Sequence, residues 1–273
     1  MIAFASNSLL CRAALKQTSI DAASFTFVRI FSGAVALWLI MKTRRTVAAV
    51  YDRRTEGNWI SALALFVYAA AFSFAYVDLA AGTGALLLFG AVQATMILWG
   101  FHKGERLHAI QIVGLLVAVT GLVVLVFPGL SAPPLIGSVL MLGAGVAWGI
   151  YSLLGKQSGS AVGATAGNFL RAVPLAAGVS IALLPWARLD RSGIVYAAIS
   201  GAITSGLGYV IWYSALSGLK ASSAATVQLS VPVLAATGGI LLLGEPITLR
   251  YALASIAVLG GIALVVLERN DAA

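Results

Sequence analysis

Two arginines, Arg29 and Arg171, stand well inside long apolar runs, where a charged side chain is costly and needs either a partner or a purpose. A guanidinium in that position can satisfy helix-end carbonyls or pair with one carboxylate, which is a structural use. It can also anchor the carboxylate of a bound solute. Rings recur at helical spacing nearby: Tyr68, Phe72 and Tyr76 stand four apart, Trp148, Tyr151 and Ser152 share a face, and so do Ser205, Tyr209 and Trp212. Such stripes serve packing or interfacial belts when they lie near span ends, and ligand contact when they lie deep. Amides complete the set. Asn7, Gln93 and Gln228 fall inside apolar runs, as interhelical hydrogen-bond partners or as contacts to a solute. Pro232 deletes the hydrogen bond to the Gln228 carbonyl and predicts a kink with a freed acceptor beside it.

Together these groups suit non-covalent binding of a zwitterion. Its ammonium would rely on carbonyls, amides or ring faces, because no acidic residue falls in the middle of an apolar run. Asn7, Tyr76, Gln93, Trp148, Tyr151, Tyr209, Trp212 and Gln228 are the expected substrate-binding residues. Covalent chemistry has no support: there is no G-x-S-x-G elbow, and the Gly149 to Gln157 stretch is one residue too long for a phosphate-binding loop. His102 and His108 lack partner carboxylates at ligand spacing, and Cys11 is the single cysteine, so neither a metal nor a cofactor is expected.

The elements that must position these residues are apolar. Sixty per cent of the 273 residues are hydrophobic and 10% charged, and the apolar residues come in runs of roughly 20. This is the composition of an integral membrane protein. Reading between charged or turn-rich breaks predicts helices over approximately 2–16, 22–42, 58–77, 82–101, 108–127, 134–155, 161–186, 192–214, 221–243 and 248–267. The first is short, covering only ~22 Å of a ~30 Å hydrocarbon core. It is not a convincing cleaved signal peptide, since no basic residue precedes its apolar part and Asn7 and Arg12 lie inside it.

The second half repeats the first. Residues 81–126 lie over 221–266 without a gap, setting Gly104-Glu105 over Gly244-Glu245, while Phe27-Val28-Arg29 lies over Phe169-Leu170-Arg171. With five spans per unit, the units 1–130 and 131–273 have opposite orientations in one membrane domain, the construction of alternating-access transporters. The formal charge of +8 alternates with the loops. With a cytoplasmic N-terminus, inward segments hold Lys42, Arg44, Arg45, Arg53, Arg54, Lys103, Arg106, Lys156, Lys220 and Arg269, and outward ones only Lys16, Arg188, Arg191 and Arg250. The positive-inside rule then sets both termini in the cytoplasm and argues against nucleic acid as the partner. Inversion also suggests pairs by depth: Arg29 shares the outer level with Glu245, and Arg171 the inner level with Glu105.

The two-unit plan, the F-x-R elements (Phe27 to Arg29, Phe169 to Arg171) and the Gly-Glu pairs (Gly104-Glu105, Gly244-Glu245, the latter followed by Pro246) resemble the EamA-type transporters of the drug/metabolite transporter superfamily. The resemblance covers essentially the whole chain. It implies an all-α membrane protein of ten transmembrane helices, as two inverted five-helix repeats around a central cavity lined chiefly by the first, third, fourth, sixth, eighth and ninth helices. It also implies an inner-membrane permease exporting small metabolites by alternating access. The aromatic content brings amino-acid exporters, including those for aromatic amino acids, nearest. Cationic drugs or purines are the alternative cargo, and a passive pore, a membrane-embedded enzyme and a scaffold are the rival classes.

Overall fold

The computed structural model describes residues 1–47, 57–102, 104, 108–129, 132–155, 161–216 and 228–271, which are helical without a strand among them. In chain order the helices are α1 (Ile2–Gln17), α2 (Ala22–Val47), α3 (Trp59–Ala75), α4 (Ala81–His102), α5 (Ala109–Val126), α6 (Leu135–Gly155) and α7 (Ala161–Ala182). Then α8 starts as Arg191–Ile199, widens into a π-helical stretch, Ser200–Leu207, and resumes as Gly208–Leu216. Helices α9 (Ser230–Leu243) and α10 (Leu249–Asp271) follow. Among the described residues, five stretches are long and apolar enough to cross a membrane: Ala22–Lys42, Ala81–His102, Ala109–Val126, Leu135–Gly155 and Arg191–Ala215. Trp59–Ala75, Ser230–Leu243 and Leu249–Val265 are shorter apolar helices.

Most ends follow from local chemistry. Asn58 caps α3 by accepting from the Ser61 N–H at 2.8 Å, and Asp190 caps α8 by accepting from Gly193 at 2.8 Å. Helix α7 stops at Ala182, before the expected 186, because Pro185 has no N–H to continue it; a single 3₁₀ turn, Leu184–Trp186, takes its place. Near Pro232 the chain is interrupted as its ring chemistry requires. Leu229 is a turn, and regular α9 begins at Ser230 with Pro232 in its first turn, where the missing N–H leaves no helical bond unmade. Gly104 and Gly244, the glycines of the two Gly-Glu pairs, both have positive φ, at 90° and 63°. Gly244 thereby ends α9 in the left-handed conformation and turns Glu245 back onto the bundle.

Packing joins helices from distant parts of the chain. Helix α5 lies along α10, α2 along α7, and α4 along α9, while α3 and α4 pack on α6 and α1 packs on α8 and α9. Glycine makes the closest crossings. A Cβ on Gly114 would stand 2.5 Å from the Gly261 carbonyl oxygen, so α5 and α10 touch backbone to backbone. The outward face of α5 carries Ile110, Val113, Leu116 and Val123, all exposed, which suits contact with lipid rather than water.

At one end of the bundle, the turn before α2 is fastened to the segment before α8. Asp21 Oδ1 accepts from the Ala23 and Ser24 N–H groups, each at 2.9 Å, Oδ2 accepts from the Arg188 N–H at 2.8 Å, and the Asp21 N–H donates to the Arg188 carbonyl at 3.1 Å. Partial burial pushes this carboxyl up, but the donors of Ser24, Arg188 and Ala23 outweigh it and hold it below the ordinary carboxylate range. A depressed folded-state value means stabilisation that is complete above the unfolded value of about 4 and lost as pH falls through the folded one. Asp21→Ala should therefore cost about 1–2 kcal/mol at neutral pH, as loss of a helix cap does. Unfolding midpoints of the two proteins in detergent should converge in acid; a constant gap down to the lowest pH would refute the assignment.

Candidate functional site

The deepest polar group in the bundle is built around Arg29, which is 1% exposed. Its Nε donates to Ser205 Oγ at 3.2 Å, and one terminal nitrogen, Nη2, donates to the hydroxyls of Tyr68 at 3.1 Å and Tyr209 at 3.3 Å. The guanidinium also lies over two rings of α3, 4.8 Å from the Phe72 centroid and 5.3 Å from that of Tyr68. Cation-ring contact of this kind favours Arg, whose flat group stacks.

The π-helical stretch of α8 supplies much of this geometry. Ser205 and Tyr209, four residues apart, both face Arg29. Ser200 and Thr204, also four apart, both place hydroxyls on Asn7 Oδ1, whose amide Nδ2 donates to Tyr68 at 3.3 Å. Gly201, one residue past Ser200, presses against α2: a Cβ there would fall on the Arg29 carbonyl oxygen and Ser32 Oγ. Opposite it, a Cβ on Gly33 would stand 2.5 Å from the Phe169 ring. The wider turn and the two glycines let α1, α2, α7 and α8 meet at one level. π-Bulges concentrate at functional sites for this reason.

Rings close over the polar centre. Phe4 of α1 lies 5.7 Å from Trp148, 5.8 Å from Tyr209 and 5.7 Å from Trp212, centroid to centroid. Trp148 also contacts Tyr68 at 4.8 Å, Tyr209 at 4.7 Å and Tyr151 at 5.6 Å. Tilted and edge-on arrangements are those that ring quadrupoles prefer. Beside this group, on α4, Phe89 touches Phe4, and one turn further Gln93 Nε2 donates to Gln228 Oε1 at 3.4 Å.

Of the expected binding residues, Asn7, Trp148, Tyr151, Tyr209 and Trp212 thus come together, and Gln93 meets Gln228 next to them. All of these side chains are buried. A cavity of about 210 Å³ lies elsewhere, at the bundle end, among Asp78, Thr83, Glu245, Thr248 and Tyr251. Tyr76 joins the group through Phe72, whose ring it meets edge-on at 4.7 Å, and its hydroxyl donates to the Ala81 carbonyl at 3.1 Å at the end of α3.

The pairing expected for Arg29 is corrected. Glu245 forms its ion pair with Arg12, Nε to Oε1 at 3.0 Å, and Arg29 takes three hydroxyls instead. A residue's depth says nothing about which side of its helix faces the partner, and Arg12 is the cation on the facing side. Arg12 Nη1 also donates to the carbonyls of Tyr76 at 3.0 Å and Val77 at 2.8 Å, while Glu245 Oε2 accepts from the Ala81 N–H at 2.7 Å. One pair therefore ties α1, the α3–α4 turn and the α9–α10 turn. Arg171 donates to the Gly167 carbonyl of its own helix at 2.9 Å, and Glu105, its expected partner, lies outside the described residues.

Arg12, Phe4, Ser200 and Thr204 were not expected at the site. Arg12 left a signal, a charge inside an apolar run; Phe4 and the two hydroxyls left none, because apolar and small polar residues are ordinary in membrane helices.

The EamA-like transporter family matches residues 135–267, the second half of the duplicated pattern. The chain belongs to that family. An uncharacterized protein of Pseudomonas aeruginosa is 57% identical over 269 residues, covering 98% of this chain and 92% of that one. An uncharacterized transporter of Bacillus subtilis is 22% identical over 87% of this chain and 85% of its own length. A solved crystal structure shares the fold, with a TM-score of 0.69 at 17% identity over 98% of this chain and 95% of that one. The protein is thus a multi-pass membrane transporter of the EamA-like family.

Proposed function

We propose that this transporter exports small metabolites, amino acids first among them, by alternating access around the Asn7, Arg29, Trp148 and Tyr209 group. The observation that carries the reading is the burial of a cation, amides and hydroxyls from α1, α2, α3 and α8 in a region where packing alone favours apolar side chains. In this reading the units 1–130 and 131–273 are inverted repeats, ten helices span the cytoplasmic (inner) membrane, and both termini are cytoplasmic. The packing supports the exchange of units: α2 meets α7, α4 meets α9, α5 meets α10, and the contact of α3 with α6 is matched by that of α8 with α1.

The junctions of Asp21 with Arg188, of Arg12 with Glu245 and of Arg250 with the Phe127 carbonyl then all lie on the outer side. Their bonds tie the helices together on that side, where the cavity beside Glu245 also lies. Solute would enter from the cytoplasm, and the rings would part around it. The rings of Phe4, Trp148 and Trp212 offer surface to an apolar side chain, and the amides of Gln93 and Gln228 offer partners to the groups that all amino acids share.

The purified protein in liposomes should take up labelled amino acids with saturation and counterflow, with and without a pH gradient. Uptake without either property would indicate a passive pore. Trp148→Ala should weaken transport of bulky apolar amino acids about tenfold and of glycine or alanine far less, since it removes a contact surface for the side chain. Gln93→Leu should impair all of them to a similar degree. Normal transport by both variants would remove these residues from the site. A reporter active only in the cytoplasm should work when fused after Arg53 and at the C-terminus, and fail after Pro128 or Asp190.

A further inference from the structure

Several buried hydrogen-bond donors at and around Arg29 have no acceptor among the described residues. A guanidinium has five N–H groups. Here Nε and Nη2 are bonded, while Nη1, though buried, has no partner among the described residues. The indole Nε1 of Trp148 and that of Trp212 are likewise buried and unpartnered. Arginine and tryptophan only donate, so none of the three can satisfy another. The acceptors that this group contacts are already used, while the hydroxyls of Ser8, Ser152 and Tyr213 are also buried and unpartnered. The Tyr68 oxygen is approached by Asn7 Nδ2, Arg29 Nη2 and the Tyr209 hydroxyl, and Asn7 Oδ1 is approached by Ser200 and Thr204.

Charge points the same way. The ion pair found among the described residues joins Arg12 to Glu245, and Arg29 meets only neutral hydroxyls and ring faces. A buried cation without a counter-ion, next to buried unpaired donors, is unfavourable by itself. A solute that brings an anionic acceptor relieves both deficits at once.

We infer that Arg29 Nη1 is the subsite for the carboxylate of an aromatic or apolar solute, with the Trp148 indole N–H a second unpaired donor in the same ring cluster. This rests on the transport reading above and adds the charge and shape of the cargo to it. One guanidinium matches one negative charge, which suits a carboxylate better than a doubly charged phosphate. The surrounding surface of Phe4, Trp148 and Trp212 suits a ring or a long apolar side chain. A plain amine would meet the like charge of Arg29, which disfavours it here. Arg171 does not duplicate the subsite, because its Nη1 is bound to the Gly167 carbonyl.

The test uses thermal unfolding of the full chain in detergent, since a ligand that binds only folded protein raises the midpoint. Indole-3-acetate, tryptamine, indole and inorganic phosphate are compared at equal concentration. Indole-3-acetate should stabilise, and tryptamine and phosphate should not. Arg29→Gln should weaken indole-3-acetate about 10- to 100-fold, the range for loss of a charged hydrogen bond. Arg29→Lys should retain part of the affinity, and Trp148→Phe, which keeps a ring but removes the N–H, should lose about three- to tenfold. If Arg29→Gln does not fold, the Lys and Phe variants decide.

Equal stabilisation by tryptamine, no stabilisation by indole-3-acetate, or undiminished affinity in both Arg29→Lys and Trp148→Phe overturns the subsite. Amino-acid counterflow measured separately keeps the two readings apart. Counterflow without carboxylate preference refutes the subsite alone, and carboxylate binding without amino-acid counterflow refutes only the amino-acid cargo.

Discussion

Gly201→Val should leave almost no folded protein in the membrane. The position sits in the π-helical stretch of α8 against α2, and even a single added carbon would fall on the Arg29 carbonyl oxygen and Ser32 Oγ. Both obstacles are tied down: one is backbone, and the other is a hydroxyl that donates to that same carbonyl at 3.1 Å. Overpacking ordinarily costs about 1–3 kcal/mol when side chains can adjust. Here helices must separate, so about 3 kcal/mol is the lower bound for Gly201→Ala, and the branched valine should exceed what the fold tolerates. Separation would also pull Ser205 and Tyr209 away from Arg29, coupling the stability loss to the site. Size-exclusion profiles of fluorescently tagged protein measure this directly. Gly143→Ala and Gly178→Ala, whose added Cβ would meet nothing within 4 Å, are the controls. A monodisperse Gly201→Val protein with an unchanged midpoint would contradict the close crossing.

Breaking the Arg12–Glu245 pair should open the end of the bundle where α1, the α3–α4 turn and the α9–α10 turn meet. The pair is largely buried, with side chains 12% and 7% exposed, and Arg12 also carries the Tyr76 and Val77 carbonyls. Removing one member of a buried pair costs about 3–5 kcal/mol when the remaining charge is stranded. Glu245 keeps the Ala81 N–H and some access to solvent, so about 2 kcal/mol in favour of opening is expected for Arg12→Ala, or roughly 30-fold in the population of open protein. A cysteine at Leu79, which is 1% exposed, reports the change once Cys11 is replaced by serine. Its reaction with a bulky maleimide in detergent should accelerate at least tenfold in Arg12→Ala. Arg12→Met combined with Glu245→Leu should restore slow labelling, since an apolar pair strands no charge. Equal labelling rates in folded Arg12→Ala and parent protein would show that the pair does not hold this end shut.

The sequence by itself determined the parts of the molecule that depend on neighbouring residues. Apolar runs between charged breaks located helices such as α4, α5 and α6 to within a residue or two, because burial of backbone polar groups in hydrocarbon leaves the helix as the local solution. Proline and glycine marked several helix ends, as at Pro185, Pro232 and Gly244, because their backbone limits act within one turn. The family was legible too, since its F-x-R and Gly-Glu elements are short and recur in both halves.

Tertiary structure alone decided who meets whom. Arg12 and Glu245 are 233 residues apart, and Arg29 and Tyr209 are 180 apart. A hydropathy pattern reports how deep a side chain lies, and in a helix buried on most sides it leaves the direction in which that side chain points undetermined. That is why Glu245 was matched to the wrong arginine. It is also why the π-helical turn, which aims Ser200, Thr204, Ser205 and Tyr209 at Asn7 and Arg29, was not visible: it lies where Gly201 presses against α2, a contact between helices far apart in the chain.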